Sequence, residues 1–377
     1  MKLAIVHDAL VNFGGAERVV GILHELFPEA PIYTTVYLPD RTHASLRGAD
    51  IRPTFLQKVV RNESQLKLLF PLTYLTMRRL DLSGYDVVLS SSTFCAKNVV
   101  PPAGARHICY CYSFFRPAWE FDQYVAAYDW NRFAKAALRP VFAGFRGMDY
   151  RAAQQPHRLV ALSRHAARKI ERAYRRKPAI VYPPVDVARY PLASRSEDYF
   201  LVVSRLMPYK RIDIVVEAFN QLRYPLKIVG VGSDFERLKM LAGPSVEFIG
   251  AVSEETLLDY YARCRCLVCP AEEDFGLVPL EAHACGKPVI ALGRGGALET
   301  VVAANDTNRA ARPPREATGI FFYEQTAEAV IEAVRSFESL EFSAQVIRKR
   351  AWDFDRSQFE RRLTSLIEQD LAAPHTA

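Results

Sequence analysis

Short β-type runs alternate with helical stretches along the whole chain, and the alternation starts twice. Leu3-Ala4-Ile5-Val6 reads as a strand. A turn follows through Asn12-Phe13-Gly14-Gly15, and then apolar residues recur at helical spacing at Val19, Val20, Ile22, Leu23 and Leu26. Further strands are expected at 31–36, 87–90, 107–110 and 159–162. After the turn-rich Tyr182-Pro183-Pro184-Val185-Asp186 the pattern restarts, with Tyr199-Phe200-Leu201-Val202-Val203 as a strand and an amphipathic helix from Ile212 to Leu222. Strands are then expected at 226–229, 246–249, 266–269, 288–292 and 320–322. Such alternation produces parallel sheets covered on both faces by helices, an α/β fold. The 377 residues exceed what one hydrophobic core usually supports, so a second domain is expected to begin near 194. The polar segment 305–318 reads as a loop. In open parallel sheets ligands bind outside the carboxyl ends of the strands, which directs attention to residues just after each strand.

Two of those connections carry chemistry. Ser204-Arg205-Leu206-Met207-Pro208-Tyr209-Lys210-Arg211 places three cations between a strand and a helix, on a connection expected to be exposed. A helix N-terminus there already favours anions, and a diphosphate fits. Glu273-Asp274-Phe275-Gly276-Leu277-Val278-Pro279-Leu280-Glu281 follows the strand at 266–269. Pro279 suits a first helical turn and Gly276 allows tight backbone approach, so this is a loop feeding a helix with free N–H groups. Carboxylates beside an anion site repel it unless they serve hydroxyls, and the hydroxyls of a ribose or hexose suit them.

These residues together resemble the retaining glycosyltransferases of the GT-B fold, in the large family 4. Arg205 with Lys210, Glu273 eight residues before Glu281, the Gly293-Arg294-Gly295-Gly296-Ala297-Leu298-Glu299-Thr300 turn and the Gly14-Gly15-Ala16-Glu17 loop carry the resemblance. It extends through Ala161-Leu162-Ser163 and Ile180-Val181-Tyr182-Pro183-Pro184-Val185-Asp186. Asp81-Leu82-Ser83-Gly84-Tyr85-Asp86 and Phe55-Leu56-Gln57 are similar to bacterial mannosyltransferases that build surface polysaccharides. The resemblance implies two Rossmann-like domains, 1–193 on the acceptor side and 194–350 for the donor, with parallel sheets facing across a cleft. Residues 351–377 would form a C-terminal helix packing back toward the first domain. It also implies that a nucleotide sugar is the donor, GDP-mannose in the first instance and a UDP-sugar in the second. Arg205 and Lys210 would grip its diphosphate, Glu281 would accept from ribose hydroxyls and Glu273 would hold hydroxyls of the transferred sugar. The backbone of Phe275, Gly276, Leu277 and Val278 would meet sugar and phosphates, Val252 would line the base, and Gly14 and Gly15 would close over the phosphates. Many relatives carry a histidine where this chain has Cys111-Tyr112-Ser113, so Tyr112 and His7 are the acceptor-side candidates. Transfer would go by front-face displacement: the leaving diphosphate takes the proton of the attacking hydroxyl, with no cofactor and no metal, and the protein supplies positive charge where negative charge grows.

Other readings find less in the residues. The first strand is followed by Asn12-Phe13-Gly14-Gly15 and not by G-x-G-x-x-G, which weighs against a dinucleotide oxidoreductase or a nucleotide-sugar epimerase. The seven cysteines are odd in number and fall mostly in apolar runs, as buried reduced thiols do; Cys264, Cys266 and Cys269 lie in or beside one strand, where alternation points them to opposite faces. Asp353 and Asp355 precede the final helix, where Asp355 reads as its cap. No apolar stretch is long enough for a membrane span, so a cytoplasmic protein is expected. Its charge is uneven: residues 1–193 hold 27 Lys+Arg against 15 Asp+Glu, and residues 194–377 hold 22 against 27. Basic residues scattered among apolar ones, with no nucleic-acid motif, fit a peripheral position on an anionic membrane surface, where lipid-linked acceptors reside. The amphipathic stretches Val59–Leu80 and Trp130–Arg151 are the candidates for that contact.

Overall fold

The computed structural model describes residues 1–126, 132–192, 195–305 and 316–373. Trp130, residues 193–194 at the expected domain boundary and residues 306–315 of the expected loop lie outside the described residues. The chain divides into two compact units, Met1–Tyr182 with Glu360–Ala377, and Pro183–Phe359.

The first unit contains β1 (Leu3–His7), β2 (Ile32–Thr34), β3 (Ile51–Pro53), β4 (Val87–Ser92), β5 (Arg106–Cys111), β6 (Arg158–Ala161) and β7 (Ala179–Ile180). They form one parallel sheet in the order β3-β2-β1-β4-β5-β6-β7. Helices cover both faces, so the central strands are buried throughout; their apolar runs are Leu3–Val6 in β1 and Ile108–Cys111 in β5, where Arg106 and His107 come first. In β4 Val-Val-Leu turns into three buried serines at the carboxyl end. The second unit contains β8 (Phe200–Val203), β9 (Leu226–Val229), β10 (Val246–Gly250), β11 (Cys266–Cys269), β12 (Val289–Leu292) and β13 (Gly319–Phe322), all parallel in the order β10-β9-β8-β11-β12-β13. Its helix Ile212–Leu222 packs Phe219 edge-on against Phe200 with ring centroids 5.1 Å apart, at the middle of the core.

Both sheets reverse their build order once. In the first unit β1 leads outward to β2 and β3 on one side, while β4 opens the other side. In the second unit β8 leads to β9 and β10, and β11 opens the other side. The crevices at the carboxyl ends of β1/β4 and of β8/β11 are therefore the topological switch points, where ligands bind in open α/β sheets.

Two strands are absent from the sequence reading, β3 and β7, and both lie at an edge of the first sheet. Ile-Arg-Pro and Ala-Ile are too short for a period, and Pro53 in an edge strand needs no ladder partner. The stretch Val59–Leu80 is not continuous: it divides into helices Glu63–Leu68 and Phe70–Arg78. Asn62 caps the first by accepting from the Gln65 N–H, and Pro71 starts the second because it lacks the N–H that continuation requires. From the other stretch a single helix runs Arg132–Ala153.

The last helix runs Arg356–Ala372; residues 360–373 belong with the first unit and residues 351–359 with the second. The helix begins where Asp355 accepts from the Ser357 N–H (3.0 Å), so the capping role holds. It is anchored by a bidentate pair in which Arg158 Nε lies 2.7 and 2.8 Å from the two oxygens of Asp370, whose side chain is buried. All seven cysteines are free, with Cys269 alone only partly buried.

Two histidines are sealed completely from solvent, His107 in the first unit and His283 in the second. Burial pushes His107 and His283 down to about 3, and their Nδ1 atoms have no hydrogen-bond partner. Below the ordinary histidine value of about 6.5 the unfolded chain takes up a proton that the folded chain refuses, so stability falls as pH falls. Between pH 7 and pH 5 each histidine is expected to remove roughly 2 kcal/mol from its own unit. Urea unfolding of wild type and of His107→Gln at the two pH values checks this: the variant should lose the part of the pH dependence that His107 supplies.

Candidate functional site

In the second unit the switch point gathers the cations and acids that the sequence singles out. β8 delivers Ser204-Arg205, and a 3-10 turn at Pro208–Lys210 brings Lys210 back toward β11. Glu273 follows β11, and Lys210 Nζ pairs with Glu273 Oε1. This corrects one expectation. Arg205 is exposed, and among the described residues its side chain makes one hydrogen bond, a long 3.4 Å approach to the Tyr209 hydroxyl. Lys210 instead is buried at 8% exposure, because the turn folds it inward onto the carboxylate.

The loop Glu273–Gly276 is held by backbone. The Gly296 N–H donates to Glu273 O at 2.8 Å, so the turn after β12 supports the loop after β11. Gly276 has φ +97°, a conformation that other residues rarely adopt, and it starts the helix Leu277–Ala284 with no side-chain cap. The N–H groups of that first turn therefore lack a capping side chain. Phe275 is buried, with its ring 5.6 Å from that of Phe354. Glu281 lies one turn into the helix and is buried, and Tyr261 donates to its Oε2 at 2.6 Å. Burial, together with the Glu281 carboxylate, holds the Tyr261 hydroxyl well above its ordinary value, so it stays a donor. Val252 sits partly buried after the edge strand β10.

Three groups of residues escaped the sequence reading. Tyr261 was one. Another was Gly230-Val231-Gly232 after β9, which lies directly on the Arg205 loop: the Leu206 N–H donates to Val231 O at 3.0 Å, and a Cβ on Gly230 would stand 1.8 Å from Ser204 O. A Gly-x-Gly immediately after a strand was the available signal. The third was the serine end of β4.

The first unit's switch point is built from His7, Asp8, Ser91 and Ser92. His7 is 3% exposed, with Nδ1 3.0 Å from both Ser91 O and Ser91 Oγ. Ser91 Oγ lies 2.9 Å from the Tyr112 hydroxyl, which donates to Ala16 O at 3.2 Å. Burial pushes the Tyr112 phenol well above its ordinary value, so it remains neutral. Asp8 is consumed locally. Its carboxylate accepts from the N–H groups of Thr93, Phe94 and Ala96 at 2.6, 2.9 and 2.7 Å and from Ser92 Oγ at 3.1 Å, fixing the loop after β4. Gly14 precedes the helix Gly15–Leu26 and provides no side-chain cap; His43 Nε2 lies 3.1 Å from Gly14 O. Among the described residues no group of three or more His, Cys, Asp or Glu is arranged to hold a metal ion.

Comparison with known proteins places both units. Residues 13–189 match the family described as "Glycosyltransferase Family 4", and residues 189–353 match "Glycosyl transferases group 1". The GDP-mannose-dependent monoacylated alpha-(1-6)-phosphatidylinositol monomannoside mannosyltransferase of Corynebacterium glutamicum is 31% identical over 178 residues, 39% of this chain and 47% of that protein. A D-inositol 3-phosphate glycosyltransferase of Geodermatophilus obscurus is 32% identical over 179 residues, 38% of this chain and 40% of that protein. The match thus spans less than half the length of each of these curated relatives. Sucrose-phosphate synthase from Thermosynechococcus elongatus superposes with a TM-score of 0.77 at 17% identity, covering 99% of this chain and 100% of that one.

Proposed function

Because the chain belongs to glycosyltransferase family 4 and has the two parallel-sheet α/β units of the GT-B fold, we propose that it transfers a hexose, mannose from GDP-mannose, with retention of configuration, to a hydroxyl of a lipid-linked or oligosaccharide acceptor in surface polysaccharide synthesis. The observation that carries the proposal is the convergence of Arg205, Lys210 and Glu273 at the β8/β11 switch point, cations beside a carboxylate at the mouth of a parallel sheet. A diphosphate meets the cations, and sugar hydroxyls donate to Glu273. Glu281, oriented by Tyr261, accepts from the ribose. Mannose is favoured by likeness to a relative whose name specifies GDP-mannose.

As the glycosidic bond to the diphosphate breaks, negative charge grows on the leaving oxygen. Arg205 and Lys210 offset that charge, and the oxygen takes the proton of the attacking hydroxyl. This scheme needs no divalent ion. The two acids at metal-like spacing are otherwise engaged: Asp353 pairs with Arg350 at 2.8 Å and Asp355 caps a helix. The test is release of nucleoside diphosphate from a panel of GDP-, UDP- and dTDP-sugars, with and without EDTA. GDP-mannose is expected to be consumed in both conditions. No turnover of any sugar nucleotide would refute the transfer reading, and loss in EDTA restored by magnesium would refute metal independence.

Peripheral attachment to an anionic bilayer belongs to the same proposal. No helix among the described residues is long and apolar enough to cross a membrane. Instead the first unit leaves large apolar side chains uncovered: Val59, Leu68 and Leu75 on one stretch, Phe133, Val141 and Met148 on the other. Exposed Arg61, Arg78, Arg79, Arg132, Arg139 and Arg151 accompany them. Ordinary core helices would bury those apolar groups. Each basic residue at such a surface contributes about 1 kcal/mol within a Debye length. Co-sedimentation with vesicles rich in phosphatidylglycerol is expected at low salt and should be lost at high salt. Equal binding to neutral phosphatidylcholine vesicles, or none to either, would remove this part of the proposal.

A further inference from the structure

His7 ends β1 at the switch point of the first unit, beside the carboxyl end of β4, where an open parallel sheet takes its ligand. Its Nδ1 lies 3.0 Å from Ser91 O, and a carbonyl can only accept, so the proton resides on Nδ1. The rest of the chain of contacts then has one direction. Ser91 Oγ also accepts from Nδ1, its own proton goes to the Tyr112 oxygen, and the Tyr112 proton goes to Ala16 O. Each hydroxyl both accepts and donates, and the chain ends on the first turn of the helix that follows Gly14-Gly15. In the neutral ring the remaining nitrogen, Nε2, must carry the lone pair. It has no hydrogen bond among the described residues, and it is not among the buried polar atoms sealed from solvent without a partner. A side chain this deeply placed, with three residues fixing its tautomer and one acceptor atom left unused, is arranged for a donor that comes from outside.

We propose that His7 Nε2 accepts a hydrogen bond from a hydroxyl of the carbohydrate acceptor, and that Ser91 and Tyr112 are positioning residues that hold the imidazole in the tautomer this requires. Tyr112 therefore does not itself meet the acceptor; its hydroxyl is used within the protein. The inference rests on the glycosyl-transfer reading for the identity of the ligand, and its test needs no turnover. In the full chain labelled with 15N-histidine, the His7 resonances, one of eight histidines, are assigned by their loss in His7→Gln or, if that variant fails to fold, by their displacement in Ser91→Ala. At pH above the histidine range the expected spectrum shows Nδ1 protonated and Nε2 bare. Methyl α-D-mannopyranoside, methyl α-D-glucopyranoside or methyl α-D-galactopyranoside is expected to shift Nε2 upfield saturably while Nδ1 stays in place, and Tyr112→Phe should let the two tautomers mix. A proton on Nε2, or an Nε2 resonance that none of the three glycosides moves, overturns the proposal. A protein that turns over no sugar nucleotide yet shows the glycoside-dependent shift would separate the failure of the transfer reading from that of the His7 assignment.

Discussion

Arg205→Ala is expected to lower sugar transfer from the donor by about 10²–10³-fold, the usual loss when one preorganised donor of positive charge is removed from a transition state. The folded protein should remain. Arg205 is exposed and among the described residues hydrogen-bonds only to the Tyr209 hydroxyl, at 3.4 Å, and forms no ion pair there, so truncation empties no buried space. Lys210→Ala should reach a similar loss by a different route. Lys210 is buried and paired with Glu273, and its removal leaves that carboxylate without its partner. The Glu273 side chain keeps 42% of its exposure, so water can solvate the orphaned charge, and the stability cost should stay small, within the range of surface pairs at about 0–1 kcal/mol. Initial rates with saturating and limiting donor, beside far-ultraviolet circular dichroism, check both variants. Activity within twofold of wild type in Arg205→Ala, with the fold intact, would show that the diphosphate is not held at this switch point.

The different settings of these two cations show where sequence is informative and where it stops. Arg205 and Lys210 stand five residues apart in a strand-to-helix connection, and that spacing is enough to place both at the end of β8. Whether each faces water depends on a 3-10 turn at Pro208–Lys210 and on a residue 63 positions away, Glu273. No local pattern encodes the second of these. The same limit explains Tyr261, which looks like any residue of an amphipathic helix until Glu281 is brought beside it. Strands in the middle of both sheets were legible because burial on both faces gives them continuous apolar runs of three or four residues, Val87–Leu89 in β4 among them. The edge strands β3 and β7 were not legible, since two or three residues carry no period. The buried serines of β4 and the ion pair of Lys97 with Asp149 were missed for a common reason: polar residues in a core contradict the pattern by which a core is recognised.

That ion pair carries the largest expected effect on stability. Lys97 Nζ lies 2.8 Å from Asp149 Oδ1, and both side chains are fully buried in the first unit. Burial works against the ammonium, but the Asp149 carboxylate outweighs it and holds Lys97 above its ordinary value, so the pair is charged. The surroundings satisfy it. Tyr74 and Tyr174 donate to the two carboxylate oxygens at 3.2 and 2.7 Å, Trp119 Nε1 donates at 2.8 Å, and Lys97 also donates to Thr93 O and Phe94 O. Thr93 and Phe94 are the residues whose N–H groups hold Asp8, so one charge grips the loop after β4 from each side of its peptide planes. Lys97→Met keeps most of the volume and leaves Asp149 as an uncompensated buried anion, at a cost of about 3–5 kcal/mol. For a unit of this size that corresponds to a fall in Tm of roughly 6–20 °C. The double variant Lys97→Met with Asp149→Asn removes the stranded charge and keeps one oxygen to accept from the tyrosines, so it should recover part of the loss. Thermal unfolding followed by circular dichroism reads both. A double variant no more stable than Lys97→Met alone would mean that lost packing and carbonyl contacts, and not the stranded carboxylate, account for the damage.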